Sequence, residues 1–233
     1  MGKLFVVESG CDASGKATQS RLLFEALKRD GYNVRKIEFP NYKSDSSALV
    51  KMYLNGDFGE NPEDVSPYIS STFFAVDRYA TFKKEWEEFY NAGGIVIADR
   101  YTTSNMVHQA AKFDDEEKRD EFLKWLDELE FGIYSLPRPD MVFFLNMPVE
   151  FSSDLMKYRK NKITGEHKKD IHESNREYLQ KSYVNALDIA RIYDWMNIDC
   201  TKDGSLIKID EIHKHIYSGA LKLLGEGGDS IAK

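Results

Sequence analysis

The stretch LFVVESGCDASGKATQS, Leu4 to Ser20, constrains the fold more than any other part of the chain. An apolar run of strand character leads to Gly10, four residues intervene, and Gly15 and Lys16 open a helical segment. In that segment Leu23, Ala26 and Leu27 share one face before Gly31 stops it. Strand, glycine-bracketed turn and helix in this order form a context that wraps a polyphosphate. Gly10 and Gly15 let backbone N–H groups face inward, the helix N-terminus favours anions, and Lys16 sets a point charge near a transferring phosphoryl group. A plain strand-to-helix turn accounts less well for the full spacing. The pattern asks for Ser or Thr after the lysine as a magnesium ligand, whereas this chain has Ala17, with Thr18 one residue late. Asp12 inside the loop would repel bare phosphate, so it faces a sugar hydroxyl or a magnesium ion, or else caps a turn.

Four further short runs read as strands: NVRKIEF from Asn33, GIVIAD from Gly94, DMVFFLN from Asp140 and DWMNIDC from Asp194. Several are apolar almost throughout, as expected where helices cover both faces of a parallel sheet. Phe122, Trp125, Leu126 and Leu129 mark one of the helices between them. The alternation predicts an α/β, doubly wound sheet with ligands gathered at the carboxyl ends of its strands. A length of 233 residues suits one such domain. The net charge of −7 argues against a general binder of nucleic acid or anionic membrane. Cys11 and Cys200 are too few for a disulfide framework, which points to a reducing cytoplasm, and neither a secretory segment nor a membrane span is expected.

Functional residues should therefore follow the strand runs. Asp99 can hold metal-bound water and Arg100 presents a planar fork suited to a monophosphate, against the simpler reading of a structural ion pair. Phe74 and Arg78 stand four apart on a helical pattern, so a ring could stack on a nucleobase while the guanidinium donates to a base carbonyl. The competing reading is core packing by Phe73 and Phe74 with Arg78 solvated. The basic stretch KYRKNKITGEHKK, residues 157–169, is a solvated face or a segment that closes over nucleotides.

Taken in order, ESGCDASGKATQ, FPNY, FFAVDRY, ADRYTTSNMVHQ and the final IDCTKDGSLIKIDEIHKHI resemble the thymidylate kinases. The resemblance implies a P-loop nucleotide kinase fold, with a five-stranded parallel sheet flanked by helices and a lid segment. The domain would span 1–224, with the lid at about 157–173 and a flexible tail at 225–233. The resemblance implies phosphorylation of dTMP to dTDP with ATP and magnesium, by a homodimer joined through helices flanking the acceptor site. ATP would be held by Gly10, Ser14, Gly15, Lys16, Ala17 and Thr18. It further implies Lys16, Arg100 and Arg159 as catalytic groups, Lys160 and Lys162 being alternatives to Arg159 because the loop position that some relatives fill with Arg is Ala13. Asp12, Phe39, Tyr42, Phe74, Arg78, Arg100, Asn105, His108 and Asp170 would bind the acceptor. Asp12, Thr18, Asp99 and Glu173 would serve the metal. The chain departs from many relatives at His108, where they carry Tyr, at the segment FPNY, where they have an Arg in or just after it and this chain has Asn41 and Lys43, and in the lid sequence DIHE. Two rival readings remain: a kinase for another deoxynucleotide or a deoxynucleoside, and a slow-turnover nucleotide switch, which Ala17 favours.

Overall fold

The computed structural model describes residues 1–156 and 171–225. All five expected strands form: β1 (Lys3–Glu8), β2 (Val34–Glu38), β3 (Ile95–Asp99), β4 (Met141–Asn146) and β5 (Met196–Asp199). They make one parallel sheet in the order β2-β3-β1-β4-β5. A short antiparallel hairpin of β6 (Thr201–Lys202) and β7 (Ser205–Leu206) follows β5 and was not expected from the sequence. The described helices are α1 (Lys16–Arg29), α2 (Ala48–Asn55), α3 (Pro67–Thr81), α4 (Glu87–Asn91), α5 (Thr103–His108), α6 (Glu116–Asp127), α7 (Val149–Met156), α8 (Ile171–Ser174), α9 (Arg176–Ile192) and α10 (Ile209–Leu223). Wider π turns continue α3 over Phe82–Trp86 and α6 over Glu128–Ile133.

The period-two alternation of β1 shows why the sheet needs two helical layers. Leu4 and Val6 enter a core with Phe122, Leu126, Ala186 and Ile189, the faces of α6 and α9. Phe5 and Val7 enter a second core with Leu23, Leu27, Ile216 and Ala220 of α1 and α10. Each buried leucine contributes about 1.5–3 kcal/mol by leaving water. A smaller cluster of Val50, Tyr53, Leu54, Val65 and Ile171 joins α2 and α8, with Tyr42, Phe73 and Phe74 packed against it. In register, Val7 of β1 pairs with Asp99 of β3 and Phe143 of β4, so the segments after β1 and β3 emerge side by side.

Candidate active site

The turn between β1 and α1 is shaped by two left-handed positions, Ala13 at φ 54° and Gly15 at φ 94°. Gly15 takes this conformation freely, whereas Ala13 is strained there. Gly10 also serves packing. A Cβ at Gly10 would lie 2.9 Å from Cα of Tyr183 and from Cβ of Ala186, so glycine allows α9 to press on the loop.

Lys16 is buried and folds back on its own loop. Its Nζ donates to the Cys11 carbonyl at 2.7 Å, to Ser9 Oγ at 2.9 Å and to Ser14 Oγ at 3.2 Å. Burial, helped by the nearby Arg100 charge, pushes its pKa down to about 8. An anionic phosphate would replace these neutral partners and restore a full charge. Residues of the loop, Thr18, Asp99 and Arg100 line one open cavity of about 250 Å³. Asp99 is buried, and its Oδ2 has no hydrogen-bond partner among the described residues. Thr18, partly exposed, and Ala17, exposed, both lie at the cavity.

Arg100 follows β3 in a left-handed conformation, φ 66°, which a side chain rarely adopts without a functional or structural reason. The competing reading, an ion pair of Arg100 with Asp99, is not what forms. Arg100 pairs instead with Asp12 across the cavity and lies 3.5 Å from Glu8. Asp12 therefore neither caps a turn alone nor stands apart from charge; it faces the guanidinium. Glu8, missed in the sequence, accepts from Thr103 Oγ1 at 2.8 Å and Ser104 Oγ at 2.6 Å, tying the end of β1 to the start of α5. Its signal was present: a carboxylate ends an otherwise apolar strand, where burial demands partners.

Arg100 also donates to Nε2 of His108 at 3.0 Å, which leaves the imidazole proton on Nδ1. Burial, then the Arg100 charge, holds His108 well below the usual histidine range, so the ring is neutral. His172 of α8 lies beside it, with Nε2 2.8 Å from the Tyr53 hydroxyl. Lys112 donates to the same hydroxyl at 3.1 Å. Neither His172 nor Lys112 carried a readable sequence signal, because their partners come from distant elements.

The base-side candidates separate. Phe74 is half-buried and meets Tyr53 edge-on at 6.1 Å, leaving part of the ring accessible, and Tyr42 packs against the same cluster. Phe39 is 5% exposed and packs on Tyr101 at 5.9 Å. The solvated reading of Arg78 is also corrected, since the residue is 1% exposed and forms a two-pronged ion pair with Glu130. Asn105 is buried beside it. Arg159, Lys160, Lys162 and Asp170, the Glu173 side chain and residues 226–233 lie outside what is described.

A parallel α/β sheet carrying a lysine-bearing phosphate loop at its switch point, with an aspartate and an arginine after the adjacent strand, defines a P-loop nucleotide-binding protein. The thymidylate kinase family model matches residues 9–213. A thymidylate kinase of Plasmodium falciparum is 26% identical over 94% of this chain and 90% of its own length. A Thermococcus onnurineus protein described as "Probable thymidylate kinase" is 31% identical over 92% and 96%, and the Mycobacterium tuberculosis thymidylate kinase is 27% identical over 77% and 82%. The chain belongs to the thymidylate kinase family.

Proposed function

We propose that the chain transfers the γ-phosphoryl group of ATP to dTMP, giving dTDP. The observation that carries this reading is the convergence of Lys16, Asp99 and Arg100 on one cavity at the ends of β1 and β3. Lys16 exchanges its loop carbonyl for phosphate oxygen, and Arg100 exchanges Asp12 for the acceptor monophosphate. Both charges then meet the transferring group, so positioning and electrostatics supply most of the catalysis.

Magnesium fits the donors present. The unpartnered Asp99 Oδ2, with Asp12 and Thr18 on the same cavity, offers hard oxygen ligands, directly or through water. No group of three His, Cys, Asp or Glu among the described residues could hold a metal unaided, so phosphate oxygens and water complete its shell. When bound, the ion would supply positive charge that neutralises the phosphate oxygens. With Ala17 exposed and without a hydroxyl, Thr18 and Asp99 support the metal in its place.

Phe74 stacks on the thymine ring, while Arg78 and Asn105 read its O4 and N3 edge. A homodimer fits the exposed stripe Ile69, Val76 and Tyr79 on α3, next to exposed Leu49 and Met52 of α2. Among the described residues no helix is long and apolar enough to cross a membrane. A cytoplasmic location is proposed on the free thiols Cys11 and Cys200.

The decisive assay supplies ATP, magnesium and each nucleoside monophosphate in turn and measures diphosphate formed. The expected order of efficiency is dTMP, then dUMP at about 10 to 200-fold less, with dCMP and purines far behind. Nucleotide binding without dTDP formation would overturn the kinase reading in favour of a switch.

A further inference from the structure

We infer that Glu130, in the π turn after α6, is a positioning residue that sets which pyrimidine the acceptor site accepts; this rests on the reading of Arg78 and Asn105 as base contacts. Glu130 is fully buried, at 0% exposure. Its Oε2 accepts from Arg78 Nε at 3.0 Å, and its Oε1 accepts from Arg78 Nη2 and from Asn105 Nδ2 at 3.4 Å. One carboxylate thus ties together side chains from α3 and α5.

The hydrogen-bond inventory shows what this tie decides. A guanidinium carries five N–H groups in a fixed plane. Two go to Glu130 and one, from Nη1, goes to the Tyr101 carbonyl at 3.3 Å. One N–H remains on each terminal nitrogen, held in a plane that the fork on Glu130 prevents from rotating. Arg78 therefore presents donors only.

The Asn105 amide has two N–H groups, which go to the Ser71 carbonyl at 3.2 Å and to Glu130. Turning the amide over would set Oδ1 against a carbonyl and a carboxylate, so the network selects the orientation in which Oδ1 is left over as an acceptor. A donor from Arg78 beside an acceptor from Asn105 complements the O4 and N3–H edge of thymine or uracil. Cytosine offers an amino group and a bare N3 there, so both contacts would be mismatched. Glu130 fixes the pattern: without its charge, the guanidinium plane is loosened and only the Ser71 carbonyl still orients the amide.

The test compares kcat and KM for dTMP, dCMP and ATP in the wild type, Glu130→Gln, Glu130→Asp and Arg78→Ala, with folding checked by thermal melting. In Glu130→Gln the new amide can donate to Asn105 Oδ1, which permits the flipped orientation. The expected result is a KM for dTMP raised about 10-fold or more, a dTMP-to-dCMP preference narrowed by about 10-fold or more, and little change in kcat or in KM for ATP. A purely structural role would lower the melting temperature and leave the preference intact. If Glu130→Gln does not fold, Glu130→Asp decides, since it keeps a charge opposite Arg78 while withdrawing the clamp by one methylene. Folded Glu130 variants that keep the wild-type preference within about twofold, while Arg78→Ala loses it, overturn this inference alone. Retention of the preference in Arg78→Ala overturns the base-reading assignment and this inference with it.

Discussion

The phosphate end and the base end of the cleft hold their arginines in opposite ways. Arg100 pairs with Asp12 at a partly open cavity, their side chains 16% and 19% exposed, so solvent screens the pair and a phosphate can displace the carboxylate. Arg78 pairs with Glu130 at 2% and 0% exposure, so neither partner can leave without stranding a charge. The first arrangement suits a group that must change partners during each turnover. The second suits a template that stays rigid while substrates come and go.

Stability separates the two ends most sharply. Glu130→Leu should cost about 3–5 kcal/mol, because it leaves the Arg78 cation buried and uncompensated. The double variant Arg78→Met with Glu130→Leu should recover most of that loss, since two apolar groups replace the pair. Asp12→Asn should cost only about 0–1 kcal/mol. Urea titrations of the four proteins measure all three; equal losses at the two ends would erase the contrast.

Turnover should fall next. Lys16→Met is expected to lower kcat by about 10²–10³-fold, the loss of one preorganised electrostatic contact, while melting stays near normal because the lysine is held by neutral oxygens. Steady-state kinetics with dTMP and ATP check it, and near-normal turnover would remove the phosphate-loop assignment.

The pH response tests the desolvated base end. Burial first, opposed by Glu63, brings Lys112 down to about 8 from 10.5. The folded state therefore carries an unfavourable buried cation below pH 8, and the unfolded chain binds more protons between pH 8 and 10.5. Stability from this group consequently rises with pH across that window, by at most about 1–3 kcal/mol. Denaturation at pH 8 and pH 10 should show this rise in the wild type, and Lys112→Met should reduce it to the share of Lys16, which is also held at about 8. A rise as large in Lys112→Met as in the wild type would assign the effect elsewhere.

The smallest effect is expected at Ala17→Ser. The added hydroxyl should change the magnesium concentration for half-maximal activity by no more than about fivefold, because in the proposed site Thr18, Asp99 and water would serve the ion. Restoration of an otherwise absent activity would instead show that the wild-type loop cannot hold its metal.

How much was legible follows the range of the interactions. The five strands, the α1 face and the loop from Gly10 to Lys16 could be read directly, because period-two alternation, period-3.6 faces and a glycine-bracketed turn are local signals. Glu130 left only a partial one: it stands four residues after Leu126 and eight after Phe122, a charge on a buried stripe that announces a missing partner without naming it. Tertiary structure alone decided that the partner is Arg78, that Arg100 faces Asp12 in place of Asp99, and that Phe39 belongs to the core. Local sequence determines the backbone through short-range sterics and burial periodicity. The choice of partner for a buried charge depends on which elements the sheet order brings together, and residues 52 or 88 positions apart carry no mark of each other until the chain has folded.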